Sequence, residues 1–331
     1  MNTEDRQSGG GLAVEDRAAT PENRSVEDRL GEALRDVKRG ESRALTTAST
    51  ISPGELSNAL FDKVRSASVG LSSGFRVLTT DKDSVVYPAL TADVNPSWYA
   101  EAAPITPGDP TFASVTATPR KLAHLVQMSN EVIDDSDPSI VDVLNDHLLK
   151  VLGLKLDVGL FEGSGTAPEI RGLKNVVGIQ SISMGANGGA LASLDALADA
   201  VGLLEAANTS ATAIVMAPRT FNTVRKLKDT SNQYLLGEPP TGQTPRTLFG
   251  VPVYVSGQLS VAEAQGTAGN AASIYVYNAQ EVVYVRRSEL ELELDRSRLF
   301  NSDQSELRAK LRGDLIVPNP TAVVRIAGVT P

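Results

Sequence analysis

The chain carries two histidines, His124 and His147, and no cysteine, so its chemical repertoire is small from the outset. Without cysteine there are no disulfides, no thiolate nucleophile and no cysteine-ligated zinc. Two imidazoles are too few for a histidine-rich metal site, and a Ser-His-Asp triad would have to use one of them. His124 falls on Lys121–Met128, whose alternation reads as a pleated strand. His147 falls inside a helical stripe, where a hydrogen-bonded or interface histidine is the plainer reading. Asp134 and Asp135 stand just before a helix start, where carboxylates favour the positive end of the dipole without doing acid–base work. Gly163-Ser164-Gly165-Thr166-Ala167-Pro168 opens like a dinucleotide fingerprint. Pro168 stands where the third glycine belongs, however, and the run follows a helix instead of a strand. There is no Gly-Lys-Ser/Thr phosphate loop and no His-Glu-x-x-His. The acids of Glu289–Asp295 lie two apart on one face and could hold a cation, but bases on the following strand offer them partners. The expectation is no catalytic residue, no metal and no cofactor.

Composition narrows the classes further. The 331 residues include 31 Lys+Arg against 40 Asp+Glu, a formal net charge of −9. That balance argues against gripping DNA or an anionic membrane by bulk charge. Aromatics are only 5% of the chain, a poor basis for a base-stacking surface. Hydrophobic residues at 41% and charged residues at 21% read as soluble and globular, and the length suggests two structural units. No apolar run approaches the roughly 18–20 residues of a membrane helix, and MNTEDRQSGGG lacks the layout of a secretory signal. A reducing cytoplasm is the expected place of synthesis.

The elements that would position these residues fall into blocks. Residues 1–45 carry ten acids and eight bases with sparse apolar residues, and repeat Glu-Asp-Arg at Glu4, Glu15 and Glu27. Such a segment cannot bury a core, although Ser25–Arg39 has a cap and one apolar stripe, so a partly helical or mobile charged arm is expected. Residues 46–82 connect it to the core, with a helix at Glu55–Ser66 and then a strand. Residues 83–119 are rich in proline, contain four acids and no Lys or Arg, and hold the only tryptophan, Trp98. Strand-like stretches Ser84–Tyr87 and Phe112–Thr118 flank this excursion, which is long for an inert loop. Trp98-Tyr99 near its tip suits an interface.

Asp137-Pro138 opens the longest helix, to Gly163, with Ile140, Leu144, Val151, Leu154 and Val158 as its expected buried stripe. Residues 172–280 read as an α/β unit: helix Ser193–Asn208, strand Ala213–Ala217, a helix from Pro218 to Asp229, and strands Val251–Ser256 and Ser273–Tyr277. Residues 281–331 are strand-like. There Glu289–Asp295 alternates acids with leucines, and Glu306–Arg312 alternates bases with apolar residues. Antiparallel pairing would match leucine face to leucine face and acids to bases. Each charged pair contributes only about 0.2–1 kcal/mol, but a slipped register would bury charge.

The order of segments resembles the major capsid proteins of tailed bacteriophages, the Hong Kong 97-like shell family. Ser129-Asn130-Glu131-Val132-Ile133-Asp134-Asp135-Ser136 is similar to that family's stretch before its long spine helix. Asp157, Phe161-Glu162-Gly163-Ser164-Gly165, Pro168 and Gly172-Leu173 resemble its helix exit. Val215-Met216-Ala217-Pro218-Arg219-Thr220-Phe221 with Leu227-Lys228-Asp229 resembles its strand–helix step. Leu248-Phe249-Gly250-Val251-Pro252-Val253 resembles its Leu-x-Gly-x-Pro-Val strand. Each motif is weak alone, and their order over about residues 45–320 makes the likeness specific.

The resemblance implies an α+β fold. Its parts are a peripheral domain (residues 120–171 with the spine helix and 281–331 with a long antiparallel sheet), an axial α/β domain at 172–280, an extended β-hairpin loop at 83–119 and the N-terminal arm. It implies a structural subunit that self-assembles as pentamers and hexamers into an icosahedral head enclosing double-stranded DNA, without sequence-specific binding and without a membrane. Assembly in the host cytoplasm, with a scaffolding protein, a portal and in some cases a decoration protein, belongs to the same implication. Some relatives crosslink through a loop lysine, and residues 83–119 hold none. The short leading segment favours a separate scaffold or a short retained arm over a long cleaved one. Acids alone on the loop suggest that Trp98, Tyr99, Glu101 and Asp109 meet a basic surface of a neighbour, either Arg308, Lys310 and Arg312 or Arg286 and Arg287. Two rivals stay open: an encapsulin-like cellular nanocompartment shell, and an α/β metabolic enzyme that the missing motifs disfavour.

Overall fold

The computed structural model describes residues 53–92, 98–101, 111–135, 140–236 and 246–331. The charged segment 1–45, Asp109 and the Asp137-Pro138 helix start lie outside the described residues.

Four strands form the first sheet, in the order β1 (Arg76–Thr80), β12 (Val283–Asp295), β13 (Gln304–Ile316) and β4 (Arg120–Ser129). β12, β13 and β4 run antiparallel in turn, and β1 joins β12 in parallel. One face lies under helices α1 (Pro53–Ala67) and α4 (Ile140–Glu162); short helix α2 (Val69–Ser72) follows α1 and short helix α3 (Asn130–Asp135) precedes α4. On that face Phe61 of α1 stacks on Tyr284, centroids 6.4 Å apart and planes 5° from parallel. Gly313 makes room for this ring: a Cβ there would stand 2.1 Å from the Tyr284 hydroxyl. The opposite face takes the base of a β-hairpin, β2 (Val85–Ala92) and β3 (Thr111–Ala117), paired from Val85↔Ala117 to Ala92↔Thr111. Ala117 of the hairpin buries with Val283, Val285 and Ile316 of the sheet, backed by Val85, Tyr87 and Val115.

Helix α4 turns a different face inward from the stripe its spacing suggests. Leu148, Leu149, Leu152, Leu156 and Leu160 are buried, whereas Val143 and Val151 are 60% and 38% exposed. Leu154 and Val158 are half-buried, and His147 is exposed on the outward side. The helix is apolar around much of its girth, so hydrophobic spacing alone does not choose the face. Gly153 and Asp157 do. A Cβ on Gly153 would meet the Val64 carbonyl and Ala67 Cβ at 2.8 Å, so α1 crosses closely there. Asp157 is fully buried and caps α2, accepting from Ser68 Oγ at 2.6 Å, Val69 N at 2.8 Å and Gly70 N at 3.0 Å.

The second sheet has the order β5 (Gln180–Ser183), β14 (Val323–Thr330), β11 (Ala268–Tyr277), β7 (Ala213–Met216), β9 (Val251–Val255), β8 (Thr247–Leu248), with β6 (Gly189–Ala190) and β10 (Glu263–Gln265) attached. Helices α5 (Asp195–Ala206) and α6 (Pro218–Arg225) complete it, both shorter than their sequence spans suggest. Leu197, Leu204, Ile214, Met216, Ile274, Val276, Val324 and Ile326 form a closed core. The expectation that residues 281–331 all join the first sheet is corrected here: β14 lies between β11 and β5 in the second. Six of its eight residues are buried, so it suits a strand covered on both sides and not a half-exposed one. A four-ring cluster ties the end of α4 to β11, with Phe161–Tyr275 at 5.5 Å and Phe75–Tyr277 at 5.3 Å.

Candidate functional site: the projecting hairpin and the charged sheet face

Beyond its packed base the hairpin carries Trp98, fully exposed at 103% of its reference area, with Tyr99 40% exposed. Glu101 is exposed as well. A large apolar ring wholly in solvent gains nothing for its own subunit. The sequence reading of an exposed aromatic pair holds in placement.

Across the first sheet the alternating run pairs as its charges suggest. Glu291 stands opposite Lys310 and Glu293 opposite Arg308, and both pairs form ion pairs. Between them Leu292 faces Ala309 and Leu294 faces Leu307 on the other side. A bulge between Arg287 and Glu291 shifts the pairing without flipping the faces. The last acid departs from the scheme: Asp295 stands opposite Glu306, whose carboxylate takes Arg298 at 3.1 Å.

The basic residues expected to await a neighbour therefore divide. Arg308 and Lys310 are already paired within the chain. Arg287 pairs with Asp83, at the root of the loop. Arg286 is a correction, for it is 6% exposed and lies on the helix side, its guanidinium 4.5 Å from the Phe61 ring centroid. Alternation explains this: neighbours on a strand face opposite sides, so Arg286 and Arg287 cannot share a surface. Arg312 makes no ion pair with a described residue. It stands between Arg287 on β12 and Lys121 on β4, three cations in a row across the strands. Lys121, which the sequence reading passed over, is exposed and borders Arg120 in a cluster visible only once β4 is placed beside β13.

The buried carboxylates serve structure. Burial pushes Asp157 above the ordinary carboxylate range, against the pull of its hydrogen bonds. Asp314 is pushed up for the same reason, opposed by the Thr118 and Leu315 amides. Glu263 would also be raised by burial, but Ser273, Lys174 and Arg325 together hold it low. Lys174 Nζ lies 2.9 Å from it and Arg325 Nη2 3.0 Å.

Among the described residues, nothing near the two histidines gathers acid, base and nucleophile together. His124, on β4, stands opposite Ala309. The glycines of the Gly163 loop serve close packing: Gly172 N donates to the Gly163 carbonyl at 2.9 Å, and a Cβ on Gly163 would stand 2.3 Å from the Ile170 carbonyl. Gly70-Leu71-Ser72-Ser73-Gly74 has the Gly-x-Ser-x-Gly spacing of a hydrolase elbow, a motif the sequence reading took to be absent. Ser72 ends a short helix with no strand leading in, and its Oγ donates to the Val69 carbonyl at 3.1 Å. Among the described residues no three or more carboxylates and histidines gather as a metal site, and no helix is long and apolar enough to cross a membrane.

Two sheets linked by an aromatic cluster, an exposed Trp98 between β2 and β3, and charged rows on one sheet face describe a protein whose distinctive surface is for contact. The chain belongs to the phage capsid family, whose profile matches residues 49–328. It is 29% identical over 225 residues to the major capsid protein of Enterobacteria phage HK97, covering 68% of this chain and 50% of that protein. The chain thus spans about half the length of that relative. Its fold is similar to the capsid of a native GTA particle (TM-score 0.64, 20% identity, 79% of this chain and 90% of that one). It is similar as well to a chain of Microbacterium phage Oxtober96 (TM-score 0.62, 18% identity, 80% and 91%).

Proposed function

We propose that the chain is the major capsid subunit of a tailed-phage type of head, assembling with its own copies as pentamers and hexamers around double-stranded DNA. The observation that carries this reading is the β2–β3 hairpin, rooted on its own sheet yet holding Trp98 and Glu101 in solvent. Family membership gives such a loop its natural partner, another copy. In this reading α1, α4 and the four-stranded sheet are the peripheral unit, and the eight-stranded sheet with β14 is the axial unit. Residues 83–119 are the extended loop, and residues 1–45 are the arm. A scaffold, a portal and a decoration protein are further partners by the same analogy. A net charge of −9 suits a wall that contains DNA without holding it.

The acidic loop, Glu101 and Asp109 included, then meets basic residues of a neighbour. Arg312 is the first candidate, because it has no described partner. Arg287, Arg308 and Lys310 can contribute by sharing carboxylates they already hold. Many modest contacts of this kind, closed by symmetry, sum to a stable shell.

Sedimentation and negative-stain imaging of the purified full-length chain test the reading, with closed particles expected. Nuclease-protected DNA inside particles isolated from cells separates a phage head from a cellular nanocompartment. Reversing Glu101 and Asp109 to lysine should lower particle yield at low salt, where exposed charges act over about 10 Å or more. An unchanged yield would remove the acidic-loop contact while leaving the shell intact.

A further inference from the structure

We infer that the chain carries a socket for Trp98 of a second copy, between the end of α4, the start of β4 and the loop Gly163–Gly172. The proposal rests on the loop-to-neighbour reading above and names where the loop goes. One cavity of about 490 Å³ opens at the hairpin base, and a separate one of about 350 Å³ opens here. The smaller one is the candidate, because its own hairpin does not line it. Leu156, Ile170 and Leu311 wall it, and Lys155 stands exposed at its mouth. Its size is that of a pocket for a mid-sized organic group, ample for an indole.

Three features of the cavity match three features of the loop. Apolar walls suit the fully exposed Trp98 ring. Tyr284 lines the cavity with a hydroxyl that is buried and has no hydrogen-bond partner, a cost that an indole N–H donor would relieve. Lys155, which makes no ion pair with a described residue, suits Glu101, three residues beyond the ring. The two carboxylates nearby are engaged, Glu162 with the Ser260 amide and Glu169 with the Ser164 amide. Lys155 acts on Glu169 through space without forming an ion pair, so an incoming acid would compete with Glu169 for it.

The chain cannot fill its own socket in this conformation, since Trp98 is wholly exposed. β2 alone extends about 26 Å at 3.3 Å per residue, and its base is fixed on the opposite sheet face. A second copy is therefore the occupant, and each copy both offers a ring and accepts one, the head-to-tail contact from which closed rings are built.

Trp98 is the only tryptophan, so the intrinsic fluorescence of the full-length chain reports on this site alone. On assembly its emission should shift to the blue, and acrylamide quenching should fall several-fold. Val158→Phe, which fills the cavity from its half-buried rim, should leave the free subunit folded by circular dichroism yet abolish the shift. Lys155→Glu should weaken it, and the double variant Lys155→Glu with Glu101→Lys should restore it. A Trp98 that stays quenchable within wild-type particles overturns the socket. So does a Val158→Phe particle that shields Trp98 as well as wild type, although that result leaves loop-to-neighbour docking elsewhere intact. A chain that forms no particles at all, under conditions where it is folded, overturns the shell reading itself.

Discussion

The two sheets of this molecule solve the problem of burial in opposite ways. The eight-stranded sheet closes its core within the chain, and Leu197, Leu204, Ile214, Met216, Ile274 and Val324 are wholly buried. The four-stranded sheet is finished only near its base, where helices cover one face and the hairpin root the other. Further out, Leu292 and Leu294 are half-buried, and the opposite face is a ladder of ion pairs with Leu125, 41% exposed, beside it. Their buried carboxylates differ in the same sense. Glu263 in the eight-stranded unit is neutralised by two cations, while Asp157 beneath the helices has only hydrogen-bond donors. One region is self-sufficient and the other keeps surface in reserve for neighbours.

The largest test compares a residue from each. Ile274→Ala should destabilise the unassembled subunit by about 2–5 kcal/mol, since the site is fully buried and cannot collapse. Leu294→Ala should cost roughly 1 kcal/mol or less in the same denaturation experiment, because much of its area is already in water. Its effect should appear in particle yield instead. Equal costs in the free subunit would erase the distinction between the regions.

Glu263→Gln comes next, at about 3 kcal/mol, because it strands Lys174 and Arg325 beside a buried amide. The pH dependence has a definite sign. Glu263 is held low in the folded chain, so its contribution is present above the ordinary carboxylate value and is lost as pH falls through its depressed value. Asp157 and Asp314 are raised, so the folded chain takes their protons more readily than the unfolded chain does. Their contribution therefore grows as pH falls from neutral towards about 3.9. Glu263→Gln should flatten the acid arm of a denaturant-midpoint profile. Asp157→Asn should lose ground to wild type on acidification. Parallel profiles for the two variants would show that the carboxylates do not differ.

Gly313→Ala is a smaller and more local break, about 1–3 kcal/mol from overpacking against the Tyr284 ring. Its effect should be much reduced in a Tyr284→Ala background, a coupling that a double-mutant cycle measures.

Much of this architecture was legible in the sequence, and the misses have physical causes. The α/β order showed in Ala213–Met216 followed by Pro218, because a buried apolar run and a proline at a helix start each have one natural reading. The acid and base alternation gave the β12–β13 pairing, because period two and opposite charge constrain register together. The inward face of α4 was misread because apolar residues ring that helix, and the deciding residues, Gly153 and Asp157, act through α1 and α2, which are distant in sequence. β14 was assigned to the wrong sheet because strand character does not say which edge a strand joins. Arg286 was grouped with Arg287 by proximity in sequence, where alternation separates them. The basic cluster around Lys121 and Arg312 needed the β4–β13 pairing before it existed at all.

The smallest effect tests the reserve surface most directly. Glu293 and Arg308 are each about half exposed, 51% and 49%, so solvent screens their ion pair. Glu293→Lys should cost the free subunit only about 0.2–1 kcal/mol, as should Arg308→Glu, and the double swap should return it. If the ladder merely sets register, particle yield should follow the same cycle and recover in the double swap. If neighbours also read the polarity of the ladder, the swapped chain should fold normally and still assemble poorly, because the acidic loop would then meet a carboxylate at position 308. Those two outcomes divide a register device from a recognition surface on the one sheet face that serves as both candidates.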